Sequence, residues 1–269
     1  MRIKKGCGIL LGKAFKFKGK TLLLSRKKLA IVSGLLLAAL IIYIVGGSPI
    51  VGASATMREL PIYCVQRDGK FVSLTFDAAW GNEDTELLID ILGRYNIKAT
   101  FFVVGDWVRK YPESVKALHD AGHEVMNHSN THAHFSRLSA QQIIDDINAC
   151  NNEIEAVTGV RPTLFRAPFG EYDDHVIKTL NSMGMYTIQW DVDSLDWKDL
   201  SAAQIRDRVT SRIKPGSIVL FHNAAKHTPE ALPGIIEWII KNGYTAVKVS
   251  DLIYKDNYTI NHEGKQIPS

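Results

Sequence analysis

Phe71-Val72-Ser73-Leu74-Thr75-Phe76, followed directly by Asp77, is an apolar and β-rich run that predicts a buried strand ending in a polar residue. Residues 85–95 then place their apolar side chains at helical spacing. A second strand-like run covers residues 99–104. This strand–helix–strand order predicts a parallel pair of strands covered by the helix between them.

The same alternation continues outward from this stretch. Further strands are predicted at 124–126, 163–165, 186–190, 217–221 and 245–249, and further helices at 112–121, 139–157, 174–183, 202–213 and 229–241. About seven strand–helix units predict an α/β fold with a mostly parallel sheet, although periodicity leaves both an open sheet and a closed barrel possible. In either architecture, the polar residues that follow the strands gather at one edge.

The charge of the chain is segregated. The 269 residues carry a formal net charge of +4, and with 46% hydrophobic and 22% charged residues the composition excludes a disordered chain. Residues 1–28 hold ten Lys or Arg and no acid, which leaves 22 basic and 28 acidic groups in residues 29–269. The body is therefore acidic, which disfavours a nucleic-acid partner.

The N-terminal region has the pattern of a membrane anchor. Residues 29–45 are seventeen uncharged residues, and we predict a transmembrane helix at 29–46. The basic arm 1–28 then stays in the cytoplasm, and the body lies outside it after a linker at 47–69. The alternative is a secreted protein cleaved near Ala55, since Ala53-Ser54-Ala55 has the small-residue pattern of a signal peptidase site.

The rest of the chain is predicted as one domain at 70–254 and a polar tail at 255–269. Of the three cysteines, Cys64 and Cys150 lie in the body. A disulfide between them is possible, but buried thiols are the favoured interpretation.

Polar residues follow five of the predicted strands. In chain order they are Asp77, the pair His128 and His132, Arg166, the segment Asp193 to Trp197, and His222. Each alone has an ordinary explanation, such as helix capping by an aspartate. Together at one edge they indicate a catalytic site, because two imidazoles suit a divalent metal such as zinc, and Asp77 and His222 supply a base and an acid.

In these motifs and their order, residues 70–253 resemble the polysaccharide deacetylases with a NodB-homology domain, carbohydrate esterase family 4. The resemblance is closest to the membrane-anchored, sporulation-type members from spore-forming bacteria. It implies a distorted (β/α) barrel. It also implies that the partner is a cell-wall glycan, and it identifies no protein partner.

The resemblance implies a role for each of nine residues. Asp77 would be the catalytic base, with Arg166 holding it, and His128 and His132 would bind the metal. The backbone N–H of Phe169 would stabilise an oxyanion. His222 would be the general acid and Asp193 would tune it, while Trp197 and Leu220 would line the acetyl pocket.

One position departs from the family pattern. Ala78 stands where the family has a second aspartate, its third metal ligand, so the implied zinc site is weakened. Asn82, Glu83, Asp84 and His134 are the candidate replacements, although capping of the helix before Thr85 is the commoner role of such acids.

The resemblance therefore implies an extracytoplasmic hydrolase that removes N-acetyl groups from amino sugars, with peptidoglycan the first candidate substrate. The loss of a ligand at Ala78 keeps open a glycan-binding module with weak or no activity. A membrane-tethered metallopeptidase is disfavoured, because the chain has no His-Glu-x-x-His motif.

Overall fold

A computed structural model describes residues 30–31, 33–38 and 58–269 in two units, one within Met1–Thr56 and one within Met57–Ser269. The described residues of the first unit are helical. No helix in the described ranges has both the length and the hydropathy needed to cross a bilayer. The basic arm 1–28, most of the predicted anchor 29–46 and the cleavage site near Ala55 lie outside these ranges.

Strands and helices alternate along the described part of the second unit. The strands are β1 (Cys64–Val65), β2 (Phe71–Ala78), β3 (Thr100–Val103), β4 (Glu124–Asn127), β5 (Leu164–Phe165), β6 (Tyr186–Thr187), β7 (Val192–Asp193), β8 (Ser217–His222), β9 (Thr245–Ala246), β10 (Tyr258–Ile260) and β11 (Lys265–Pro268). The α-helices are α1 (Thr85–Arg94), α2 (Gly105–Lys110), α3 (Pro112–Asp120), α4 (Ala140–Thr158), α5 (Asp174–Ser182), α6 (Ala202–Thr210), α7 (Thr228–Lys241) and α8 (Val249–Leu252).

Local sequence accounts for the bounds of the longest helix. Ser139 caps α4, because its side chain accepts a hydrogen bond from the Gln142 backbone while the Gln142 side chain bonds back to the Ser139 N–H. Gly159 ends the helix in the left-handed conformation, at φ 73°. The helix predicted at 139–157 is thereby confirmed to within one residue.

The strands form one sheet in the order β10-β11-β1-β8-β2-β3-β4-β5-β6, with β7 beside β8 and β9 beside β2. From β8 through β2, β3, β4 and β5 to β6, each strand is parallel to the next, whereas β1 is antiparallel to β8. The register pairs Asp77 with His222, and Asn127 with Phe165. Consequently the residues that follow these strands come together at one edge.

The α/β class is confirmed, but the count of about seven strands is too low. All seven predicted strands occur, and β1, β7, β10 and β11 add to them. A single bridge from Ile62 to Ile188 brings the segment before β1 beside the segment after β6, so the sheet is strongly curled. The additional strands are two to four residues long, too short for a periodic pattern.

Two predicted boundaries are wrong. The described part of the linker 47–69 contains β1, which pairs with β8 and β11, and both Ile62 and Val65 are buried. The predicted tail 255–269 contains β10 and β11, an antiparallel pair. Both segments are held by backbone pairing with distant strands, so their own polar composition does not decide their structure.

The predicted strand 245–249 is shorter than expected. It ends at Ala246, and α8 begins at Val249, whose N–H donates to Thr100 Oγ1 at 2.9 Å. Cys64 and Cys150 are both free thiols, as predicted, but only Cys150 is buried and Cys64 is half-buried.

The core between β2, β3, β8 and the helices is built on three stacked phenylalanines. The Phe76 ring lies 4.8 Å from that of Phe101 and 5.3 Å from that of Phe221, between centroids. This stack stiffens β2 and β8, whose ends carry Asp77 and His222, together with β3.

Candidate active site

Asp77 is buried near the end of β2 and forms an ion pair with the fully buried Arg166. Arg166 Nη1 donates to Asp77 Oδ1 at 2.8 Å and to Thr75 Oγ1 at 2.8 Å, and Nη2 donates to the Gln189 carbonyl at 3.2 Å. Burial alone would raise the pKa of Asp77. The positive charge of Arg166 outweighs it and, with the nearby His128, lowers that pKa. Asp77 therefore stays ionised.

His128 follows β4 and is buried beside Asp77. Its Nδ1 lies 2.8 Å from the Arg166 carbonyl oxygen, which can only accept, so Nδ1 carries the proton of the neutral ring. The Nε2 lone pair is then free, 3.6 Å from Asp77 Oδ2. Burial lowers the pKa of His128. An imidazole oriented in this way is ready to bind a cation.

His132 lies beside His128, with 5.1 Å between the ring centroids. Its backbone has φ 56°, and its N–H donates to Ser129 Oγ at 2.7 Å, which fixes the turn. Burial, with repulsion from His128, lowers the pKa of His132 to about 4, so this ring is also neutral at pH 7. The expected histidine pair is therefore formed.

His222 ends β8 and is held by Asp196. Its Nδ1 lies 2.8 Å from Asp196 Oδ1, and its backbone N–H donates to Asp196 Oδ2 at 2.8 Å. Burial alone would lower the pKa of His222. The hydrogen bond and charge of Asp196 raise it instead, with smaller contributions from Asp77 and Asp193.

Asp193 was expected to tune the acid, but Asp196 is the residue that holds His222, and Asp193 adds only a smaller charge contribution to its raised pKa. Asp193 Oδ1 accepts the Leu195 N–H at 2.8 Å and stabilises the local turn. The fully buried Asp196 contacts His222 instead and also accepts a hydrogen bond from Thr228 Oγ1 at 2.7 Å. The two aspartates are three residues apart, and the distorted backbone between them, with Leu195 at φ 55°, turns Asp196 toward the ring.

These side chains surround one cavity of about 410 Å³. Eight of the nine residues predicted for the site line it, namely Asp77, His128, His132, Phe169, Asp193, Trp197, Leu220 and His222. The ninth, Arg166, lies behind Asp77. Phe169 sits at φ 60° in a tight turn, and its ring contacts His132 and His134.

The third metal ligand of the family has no replacement at this cavity. Ala78 is 1% exposed, and its methyl group packs in the apolar core. Asn82 donates to Ser114, Asp84 accepts from the Ala224 N–H, and His134 pairs with Glu171. None of these residues, nor Glu83, lines the cavity.

Within the described ranges, no three His, Cys, Asp or Glu side chains are arranged to hold a metal. The two imidazoles therefore do not make a complete site for the family's metal.

Three residues at this site were missed by the sequence analysis as functional. Asp196 lies within the segment Asp193 to Trp197, but no local pattern distinguishes it from Asp193. Thr75 accepts a hydrogen bond from the same Arg166 nitrogen that donates to Asp77. Asn223 accepts the Ala79 N–H at 3.2 Å and so connects the loop after β8 to the loop after β2. Position after a strand was the one available signal for Asn223.

Comparison with known proteins now decides the family. Residues 65–188 match the family model described as polysaccharide deacetylase. Peptidoglycan-N-acetylmuramic acid deacetylase PdaA of Bacillus subtilis is 32% identical over 190 residues, which cover 69% of this chain and 72% of PdaA. This chain belongs to the polysaccharide deacetylase family.

The solved structures similar to this polysaccharide deacetylase family member include one named as a pseudoenzyme. Wild-type BA3943 of Bacillus anthracis, a CE4 family pseudoenzyme, matches with a TM-score of 0.70 and 37% identity over 72% of this chain and 69% of BA3943. A BA3943 mutant with restored enzymatic activity also matches with a TM-score of 0.70, at 38% identity over 72% of this chain and 71% of its own.

Peptidoglycan-N-acetylmuramic acid deacetylase PdaC of Bacillus subtilis is another relative, 37% identical over 188 residues, or 70% of this chain. The family member described here spans only 40% of PdaC, well under two thirds of its length. Membership of the family therefore applies to the matched domain. It does not establish the activity of the whole protein.

Proposed function

We propose that this family member is a hydrolase that removes N-acetyl groups from amino sugars of a cell-wall polysaccharide, with peptidoglycan as the first candidate substrate. The observation that carries the proposal is that Asp77 and His222 line the same cavity. Each is held by a buried side chain of opposite charge, Arg166 for Asp77 and Asp196 for His222. A base and an acid facing the same space are what amide hydrolysis requires.

Asp77 is proposed as the base that takes a proton from the attacking water. It is ionised, and Arg166 fixes the orientation of its carboxylate, with Oδ2 turned toward His128. The same ion pair lowers the pKa of Asp77, which makes it a weak base. Proton transfer to Asp77 therefore needs a water that something else in the cavity has made more acidic.

His222 is proposed as the acid that protonates the departing amine. Its Nδ1–H donates to Asp196, so the proton on Nε2 is the one available to the cavity. Because Asp196 raises the pKa of His222, a larger fraction of the ring carries both protons near neutral pH. An amine leaves far more readily once it is protonated, so this step belongs to the acid.

A divalent ion, zinc first, is proposed for His128 and His132, where it would supply a more acidic water. With two imidazoles and no carboxylate, the binding of such an ion is expected to be weak.

A second candidate function is a glycan-binding module with little or no hydrolysis. The buried methyl group of Ala78 favours this second candidate. Alanine supplies no metal ligand where the family has an aspartate, and the cavity remains intact. The likeness to BA3943, named as a pseudoenzyme, supports the same candidate.

The proposed location is outside the cytoplasm, with residues 29–46 as a single membrane anchor. The support is the sequence pattern of ten basic residues before an uncharged run. Release near Ala55 is the alternative. Membrane fractionation with N-terminal sequencing of the mature protein tests both, since a soluble protein beginning just after residue 55 would contradict the anchor.

The activity test is amine release from acetylated peptidoglycan by the full chain, with and without added zinc. Asp77→Asn and His222→Ala are each expected to lower the rate by about 10²–10⁴-fold. Asp120→Asn is the matched control, because Asp120 is an exposed carboxylate paired with Lys116 on α3. Glycan binding without amine release, with or without zinc, would favour the binding module over the hydrolase.

A further inference from the structure

Phe169 has a backbone conformation that a large side chain rarely adopts. Its φ is 60° and its ψ is 5°, within the short turn Pro168–Gly170 that follows β5. This left-handed region is unfavourable for a bulky residue and persists only where the surrounding structure enforces it. The contacts around the turn therefore decide where the backbone and ring of Phe169 lie in the wall of the cavity.

The hydrogen bonds of the turn hold it only in part. The Gly170 N–H donates to the Ala167 carbonyl at 3.2 Å, and the Glu171 N–H donates to the Pro168 carbonyl at 3.1 Å. Gln189 Nε2 also donates to the Gly170 carbonyl, at 3.2 Å. These distances are at the long end of the range for such bonds. The bonds fix the residues around Phe169, and the Phe169 N–H is not one of their donors.

The ring of Phe169 is 58% exposed, yet two histidine rings pack against it. His134 stacks on it with 4.4 Å between the centroids and 15° between the planes. His132 meets it in a T-shaped contact, with 4.6 Å between the centroids and 74° between the planes. Both are favourable geometries for aromatic pairs. The stacked ring of His134 therefore restricts the movement of Phe169.

His134 is itself held by a carboxylate from the same turn region. Its Nδ1 lies 2.9 Å from Glu171 Oε2, and Ser136 Oγ donates to the same oxygen at 3.4 Å. The His134 and Glu171 side chains are 43% and 35% exposed, so their pair contributes little to the stability of the fold. Its effect is on orientation, because it joins the loop after β4 to the loop after β5 with Phe169 between them.

We infer that His134 is a positioning residue, which together with Glu171 clamps the Phe169 turn in its left-handed conformation. Phe169 lines the same cavity as Asp77 and His222, and its backbone N–H is the expected donor to the oxyanion. Such a donor acts only while it points at the position where the charge develops. The inference rests on the proposed function for the catalytic use of this N–H, and the clamp itself rests on the contacts alone.

The first test measures the rigidity of the turn without turnover, by ¹⁵N relaxation of the Phe169 amide in the full chain in detergent. The expected order parameter is about 0.85 in the wild type and below about 0.6 in His134→Ala. His134→Phe keeps a flat ring and is expected to restore most of the rigidity. His175→Ala removes an exposed histidine of α5 that does not line the cavity, so it is the matched control.

The second test separates kcat from KM for amine release from acetylated peptidoglycan. His134→Ala is expected to lower kcat about tenfold and to change KM less than about twofold, because the oxyanion exists only in the transition state. His134→Phe is expected to recover most of the lost kcat, and His175→Ala should match the wild type. Thermal unfolding of each variant verifies that it is folded.

An order parameter at Phe169 that is low in the wild type, or unchanged in His134→Ala, would overturn the clamp. Equal mobility in His134→Ala and His134→Phe would also overturn it, because stacking would then not be the cause. A mobile turn with an unchanged kcat in His134→Ala would show that the turn positions no catalytic group. If the wild type releases no amine, the proposed hydrolase fails, and the relaxation measurement alone decides whether the clamp exists.

Discussion

At the residue scale, one buried contact sets the protonation of each proposed catalytic group, Asp77 and His222. Arg166 keeps Asp77 charged, and Asp196 favours the protonated form of His222. The pKa of Asp77 is lowered and that of His222 is raised, so the ordinary gap between a carboxyl and an imidazole pKa becomes wider. Both groups are therefore charged over a wide pH range. The acid and the base are thereby held in different protonation states.

The first prediction separates the two aspartates near His222. Asp196→Asn is expected to lower the pKa of His222, because it removes the charge that raises it, whereas Asp193→Asn leaves the hydrogen bond intact. Titration of the His222 ring by NMR measures both. A larger drop in Asp193→Asn than in Asp196→Asn would contradict the assignment.

The second prediction concerns the missing ligand. Ala78→Asp places a carboxylate in an apolar core position, so it is expected to lower the melting temperature in chelator. If the carboxylate completes a site with the two imidazoles, zinc at 100 times its dissociation constant restores about 2.7 kcal/mol.

Thermal unfolding with chelator and with zinc measures this effect. Ala78→Asn is the matched control, since it has a similar volume without the charge and should gain far less from zinc. An equal response of the two variants would mean that position 78 does not face the histidine pair.

At the element scale, a buried histidine links α3 to β3 and β4. The Ala99 N–H donates to His123 Nδ1 at 3.1 Å, and the ring packs edge-on against Phe101. This bond requires an unprotonated Nδ1, and burial lowers the pKa of His123 to about 4.

The third prediction follows from that shift. Below the ordinary histidine pKa of 6.5 the unfolded chain binds a proton that the folded chain does not, so stability falls as the pH drops from 6.5 toward 4. The total contribution of His123 is about 3 kcal/mol, at about 1.4 kcal/mol for each pKa unit.

Urea unfolding at several pH values measures this loss of stability. His123→Asn is the comparison, because Asn offers a hydrogen-bond acceptor and does not titrate. His128 and His132 contribute alike in both proteins. A wild-type curve as flat as that of His123→Asn would contradict the prediction.

At the scale of the whole molecule, the first and last strands of the described domain lie side by side. β1 pairs with β11 on one edge and with β8 on the other, so the C-terminal strands extend the sheet that carries the site. The turn between β10 and β11 brings Gly264 to φ 76°, and its N–H donates to the Asn261 carbonyl at 2.9 Å.

The fourth prediction tests this closure. A Cβ at Gly264 would lie 2.3 Å from the Tyr63 ring and would force a side chain into the left-handed region, so Gly264→Ala is expected to cost about 1–3 kcal/mol. Gly93→Ala in α1 is the matched control, because its Cβ would meet open space, and it should stabilise by about 0.5–1 kcal/mol. Equal unfolding free energies for the two variants would show that the closing strands carry little stability.

The sequence alone determined the α/β alternation and the residues that follow the strands. The reason is that strand and helix periodicity is a local property, and that parallel strands bring their carboxyl ends to one edge. The sequence alone could therefore assign four side chains to one cavity, those of Asp77, His128, His132 and His222. The departure from the family pattern at Ala78 was also evident from the sequence.

Only the tertiary structure decided that Asp196 rather than Asp193 holds His222, and that β1, β10 and β11 belong to the sheet. Side-chain direction in an irregular turn depends on the backbone around it, and two-residue strands are held by partners more than 100 residues away. The stacking of His134 on Phe169 likewise exists only because the loops after β4 and β5 meet there.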